Sequence, residues 1–176
     1  VRALKYHGGG DLKHISDPDA TAVRQGLGNL EKHIENVRQF GLEPVVAINR
    51  FPTDTEEEMQ VIREKCEAMN TPVVLSEVWA NGGEGGEALA REVVAAVERS
   101  SGTFTPMYDW EQPVKEKIAA VATRVYGAEG VDYVGSAERD LRRIARLGLE
   151  KLPICIAKTQ KSLSDNAKLL GRPSGF

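Results

Sequence analysis

Phe51 and Trp79 are the side chains in this sequence best suited to hold a flat molecule. Aromatic residues make up only 6% of the chain, and each of these two follows closely on a short apolar run. Ordinary core positions have stopped there. Two aromatic faces beyond neighbouring strand ends could therefore clamp a heterocycle by stacking. The plainer alternative is that each ring packs under its own loop, since aromatics bury well anywhere.

Other chemistry is thinner. Gly82-Gly83-Glu84-Gly85-Gly86 precedes a helical pattern, and its backbone N–H groups could cradle an anion. It matches neither GxxxxGK[ST] nor GxGxxG, and Glu84 would repel a phosphate, so turns needing positive φ explain the glycines as well. Lys158 follows an apolar run and suits a carboxylate or phosphate, or simply faces water. His7, His14 and His33 show no metal-ligand spacing, and no metal site is assigned. Glu56, Glu57 and Glu58 suit a solvated helix start. No Walker A loop occurs anywhere, so a self-sufficient P-loop ATPase is excluded on motif grounds.

The elements that would position these residues follow from periodicity. Val1 to Lys5 reads as the end of a strand broken by Gly8-Gly9-Gly10. Val23, Leu27, Leu30, Ile34 and Val37 recur at steps of four and three, a helix stopped by Gly41. Val45 to Ile48 and Val73 to Leu75 are unalternating apolar runs, as parallel strands covered on both faces are. Between them Asp54 is a candidate N-cap with Glu57 in capping-box position, ahead of a stripe of Met59, Ile62, Cys66 and Met69. Glu87 to Glu98 reads as a helix with Leu89, Val93 and Val97 on one face.

This alternation predicts an α/β fold, a parallel sheet with flanking helices joined by right-handed crossovers, over residues 1–100. Residues 101–176 read as mostly helical. Pro113 opens one helix carrying Val114, Ile118, Val121 and Val125, and Ala137 to Leu147 forms another. Pro153 to Ala157 reads as one further buried strand, and Ser100 to Thr105 as the hinge between the two regions. Ligands of open parallel sheets bind beyond the carboxyl ends of the strands, which is where Phe51, Trp79 and Lys158 fall.

The 176 residues are 41% hydrophobic and 28% charged, an ordinary globular balance. A net charge of −3 gives no basic surface for nucleic acid. No apolar run is long enough to span a bilayer and no signal-peptide pattern opens the sequence, so a cytoplasmic protein is expected. Cys66 and Cys155 lack CxxC spacing and read as buried free thiols. The sequence opens at Val1 and closes on a polar Gly/Pro stretch, so a piece of a longer chain is expected.

VRALKYHGGG, NLEKHIEN, VVAINRFPTDT, LSEVWANGGEGG, Val125-Tyr126-Gly127-Ala128, LPICIAKTQ and SLSD…LLGRP stand in the same order as in formate–tetrahydrofolate ligase, which the sequence resembles along essentially its whole length. The resemblance implies part of a P-loop-NTPase-like fold in a homotetrameric enzyme. That enzyme activates formate with MgATP as formyl phosphate, uses a monovalent cation, and passes the formyl group to N10 of tetrahydrofolate. It implies that Phe51 and Trp79 sandwich the pterin, with Pro52 and Leu75 lining the pocket and Gly82, Gly83, Gly85 and Gly86 supporting the loop. The family's phosphate loop has no counterpart here, so the piece is expected to be inactive alone. Asn81, Lys161, Asn166 and Tyr6 depart from residues common in the family. The competing reading is a non-catalytic folate-binding or scaffolding module; a half of a P-loop GTPase is more distant.

Overall fold

The computed structural model describes residues 1–100 and 102–176. They form two compact units, residues 1–105 with 170–172 and residues 106–169 with 173–176.

The first unit opens with a helix where a strand was expected. Helix α1 spans Arg2–His7 and α2 spans Ala20–Arg38. Their crossing explains the difference. A Cβ on Gly8 would lie 1.9 Å from the Ala22 carbonyl oxygen, and one on Gly26 would lie 2.0 Å from that of Leu4. The two backbones touch through paired glycines, and the helical turn buries both Leu4 and Lys5, which a strand would point to opposite faces. Asp19 caps α2, its carboxylate accepting from the Ala22 amide. Val23, Leu27 and Ile34 are buried as their spacing predicts, whereas Val37 is half-exposed. After α2, Gly41 adopts φ +74° as the expected stop.

Strand β1, Val46–Asn49, pairs in parallel with β2, Val73–Ser76, placing Ile48 beside Leu75. Between them, α3 spans Glu56–Ala68. These are the only two strands among the described residues. The sheet thus lacks the strand expected at Val1 to Lys5.

The cap of α3 lies one residue beyond its predicted place. Thr55 is the N-cap, its hydroxyl accepting from the Glu58 amide while the Glu58 carboxylate accepts from the Thr55 amide. Glu58 is not solvated. It is fully buried, and its second oxygen takes the Asp19 amide and the Lys5 ammonium. Met59, Val61, Ile62 and Cys66 join Leu4, Val23, Leu27 and Ile48 in one core cluster; Met69 is only partly covered.

Arg38 pins the end of α2 to the turn after α3, donating to the carbonyl oxygens of Met69 and Asn70 and to Thr71 Oγ1. Beyond β2 come α4, Val78–Asn81, a 3-10 turn at Glu84–Gly86, and α5, Glu87–Arg99. The apolar face expected on α5 from Leu89, Val93 and Val97 is largely open: Val93 and Val97 are exposed, and Ala96 is the helix's buried residue. Of the expected hinge, Ser101 lies outside the described residues. At its far end Phe104 stacks on Phe40, and the Thr105 amide donates to the Phe40 carbonyl. Residues 170–172 return to this unit. Asn29 donates to the Gly171 carbonyl, the Gly171 amide donates to His7 Nδ1, and Arg172 forks onto Glu35.

In the second unit Pro113 precedes α6, Val114–Ala120, as predicted. The helix then loosens into a π turn, Val121–Tyr126, ended by left-handed Gly127. Helix α7 spans Ala137–Arg146. The strand expected at Pro153 to Ala157 does not form among the described residues. The run is extended, but the Ile154 amide donates to the Tyr108 hydroxyl rather than to a sheet partner. Cys155 is therefore exposed, and only Cys66 meets the expectation of burial. Lys117 is fully buried, donating to the carbonyl oxygens of Glu150 and Leu152.

Candidate functional site

The carboxyl ends of β1 and β2 lie side by side, with Asn49 level with Ser76. A parallel pair delivers both chains to the same edge, which places Arg50-Phe51 next to Glu77-Val78-Trp79. The Arg50 amide extends the ladder to the Ser76 carbonyl, and the Arg50 guanidinium meets the Glu77 carboxylate at 3.0 Å. The two strand ends are thus joined by backbone and by charge.

Just past this bridge the Phe51 and Trp79 rings face one another, their centroids 6.1 Å apart and their planes at 40°. Phe51 is fixed from its own turn. Its amide donates to Asp54 Oδ2, and its carbonyl accepts from the Asp54 amide. The guanidinium of Arg2 lies 4.3 Å from the centre of the Phe51 ring, a cation–π contact. Arg2 Nε and Asp54 Oδ1 are buried without hydrogen-bond partners among the described residues.

Trp79 is held less tightly. It is 68% exposed, on a four-residue helix that buries no side chain. The glycine loop sets its position. Gly82 has φ +57°, and a Cβ on Gly85 would lie 2.4 Å from the Glu77 carbonyl oxygen. The Glu77 amide donates to the Gly85 carbonyl, so the loop folds back onto the start of α4. Gly83 faces open space, and Gly86 sits under the Val78 side chain.

The other predicted residues separate. Pro52 is exposed beside Phe51, and Leu75 packs against the core cluster. His7 ends α1 rather than following a strand. Lys158 belongs to the second unit, where its ammonium donates to the carbonyl oxygens of Thr159 and Ser162 and lies 5.2 Å from the Tyr126 ring centre. Burial pushes its pKa below the ordinary lysine range. Arg2 carried no signal in the sequence, because its contact with Phe51 depends on the α1 helix. Arg50 and Glu77 were legible in place, as neighbours of the strand ends, but not as a pair.

Among the described residues no group of three or more His, Cys, Asp or Glu side chains converges as a metal site would. No described helix is long and apolar enough to cross a membrane. The arrangement offers flat, partly solvated aromatic faces backed by a charged bridge, suited to gripping a planar, polar-edged ring. The family model for formate–tetrahydrofolate ligase matches residues 1–176, the whole of this sequence.

Proposed function

The chain belongs to the formate–tetrahydrofolate ligase family, and from that premise we propose that it supplies the face on which the pterin of tetrahydrofolate is held. The observation that carries this reading is the Phe51–Trp79 pair at the carboxyl edge of two parallel strands. A ring inserted between them needs roughly two van der Waals gaps, about 7 Å between parallel faces. The pair stands at 6.1 Å and 40°, slightly too close and too tilted. The tightly turned Phe51 is the fixed jaw. Trp79, on its exposed short helix between Glu77 and the glycine loop, is the jaw that swings.

In the reaction, the N10 amine attacks the formyl carbon of formyl phosphate, the C–O bond to phosphate breaks, and 10-formyltetrahydrofolate and phosphate result. Holding the pterin by its faces leaves N10 free and limits its approach, the kind of orientation that lowers a bimolecular barrier. Pro52 is exposed next to Phe51 and borders the same ring, while Leu75 supports the β2 end from the core side. Closure of Trp79 over the ligand also sheds water from a hydrolysable mixed anhydride. Activation of formate by MgATP falls to residues beyond these motifs, since no GxxxxGK[ST] loop occurs in the sequence. We therefore propose that residues 1–176 alone do not turn over, that the β1–α3–β2 unit is part of a larger nucleotide-fold sheet, and that the working enzyme is a cytoplasmic homotetramer.

The test is tetrahydrofolate affinity in the intact ligase. Trp79→Ala and Phe51→Ala should each weaken it by about 1–3 kcal/mol, leaving the KM for ATP near its starting value. Unchanged folate affinity in both variants would remove the ring pair from the pocket.

A further inference from the structure

The second unit contains a cavity of about 470 Å³ that the folate reading does not use. That volume lies within the range of small-molecule sites. Its walls are mainly apolar, with Tyr126, Ile156, Phe176 and the buried Leu163. One wall is the π turn Val121–Tyr126, which contributes Ala122 and Tyr126. Single π turns inside helices are frequent at functional sites.

The polar groups are few and unequal. Lys158 is the one cation in the lining, and it makes no ion pair among the described residues. Among the described residues its ammonium meets two carbonyl oxygens and the Tyr126 ring. A partly desolvated cation without a counter-ion gains from an anion that enters with it. Two carboxylates, Asp132 and Asp165, also line the cavity, and both are exposed. They disfavour a second negative charge on the ligand.

We propose that this cavity binds a small monocarboxylate with an aryl or branched-alkyl body, its carboxylate on Lys158 and its body against Tyr126, Ile156 and Leu163. Phosphate esters carrying two charges are rejected by Asp132 and Asp165. All its lining residues belong to the second unit, whereas Phe51 and Trp79 belong to the first.

Calorimetric titration of the intact protein carrying Trp79→Ala, so that the ring pair does not contribute, tests this with three probes. These are 2-naphthoate, 2-naphthalenemethanol and 2-naphthyl phosphate. The acid should bind at least tenfold more tightly than either of the others, and Lys158→Met should remove that advantage. Asp132→Lys, a change at an exposed position, should raise the affinity for the phosphate roughly tenfold whether or not Lys158→Met folds. The proposal is overturned if the acid and the alcohol bind alike. It is also overturned if Lys158→Met folds and keeps the preference, if Asp132→Lys leaves the phosphate unimproved, or if the acid fails to bind at roughly 10 mM.

Discussion

The Lys5 ammonium and the Glu58 carboxylate meet at 2.9 Å, with side chains 1% and 0% exposed. Lys5 also donates to the Asp17 carbonyl, and Glu58 also accepts from the amides of Asp19 and Thr55. One ion pair therefore ties α1, the segment before α2 and the start of α3. Burial by itself would raise the Glu58 pKa, but the Thr55 and Asp19 amides and Lys5 outweigh it and hold the group down at about 2.

That depression fixes the sign of a pH effect. A carboxyl whose folded pKa lies below its unfolded value contributes stability above the unfolded pKa and loses it as pH falls through the folded one. Between an ordinary value of 4.5 and about 2, the fold should lose on the order of 3 kcal/mol from this group. Urea titrations across that window should show the loss in the starting protein and a flatter profile in Glu58→Gln. Lys5→Met should cost about 3–5 kcal/mol at neutral pH, because it leaves a buried carboxylate without its cation. An equal slope in both proteins below pH 4.5 would mean another group controls acid unfolding.

The α1–α2 crossing should reject a single methyl group. On an open helix, Gly26→Ala would stabilise by about 1 kcal/mol. Here the added Cβ meets the Leu4 carbonyl oxygen at 2.0 Å, so the same change should destabilise by about 1–3 kcal/mol as the helices part. Denaturant midpoints of Gly26→Ala and Gly28→Ala make the comparison. Gly28 is also in α2, and its Cβ would meet only the Arg172 side chain at 3.3 Å.

Gly85 should control where Trp79 stands. Gly85→Ala forces the loop away from the Glu77 carbonyl and with it the start of α4. In the intact ligase, the KM for tetrahydrofolate should rise about tenfold while the KM for ATP stays put. Gly83→Ala, with open space around its Cβ, is the control and should leave both unchanged.

The two thiols should separate in a simple reactivity assay. Cys155 is exposed and Cys66 is buried, its thiol pushed up by burial. In the folded protein Cys155 alone should be labelled by a thiol reagent within minutes, and Cys66 only after denaturant is added. Fast labelling of both would show that the α3 core opens freely.

The placement of Phe51 beside Trp79 was more legible than the frame around it. Phe51 and Trp79 could be found because two apolar runs ended just before them, and parallel strands deliver such residues to one edge. The α1 helix could not, because six residues hold too little periodicity and what makes them helical is a glycine contact with α2. Glu58 read as solvated because its partner Lys5 is remote in sequence. The cap shifted from Asp54 to Thr55 because three consecutive glutamates fit either register; the bonds to Thr55 and Asp19 choose Glu58. The run at Pro153 to Ala157 has strand composition, but pairing needs a neighbour, and composition does not supply one.

Residues 170–172 give the first unit an unusual order of assembly. The polypeptide leaves that unit after Thr105, forms the second, and comes back to hand the Gly171 backbone to His7 and Asn29 and the Arg172 guanidinium to Glu35 and Glu31. During synthesis, α1 and α2 emerge early and wait with these partners unfilled until everything between has been made. A premature stop anywhere in residues 106–169 would leave the first unit without this fastening of α1 and α2.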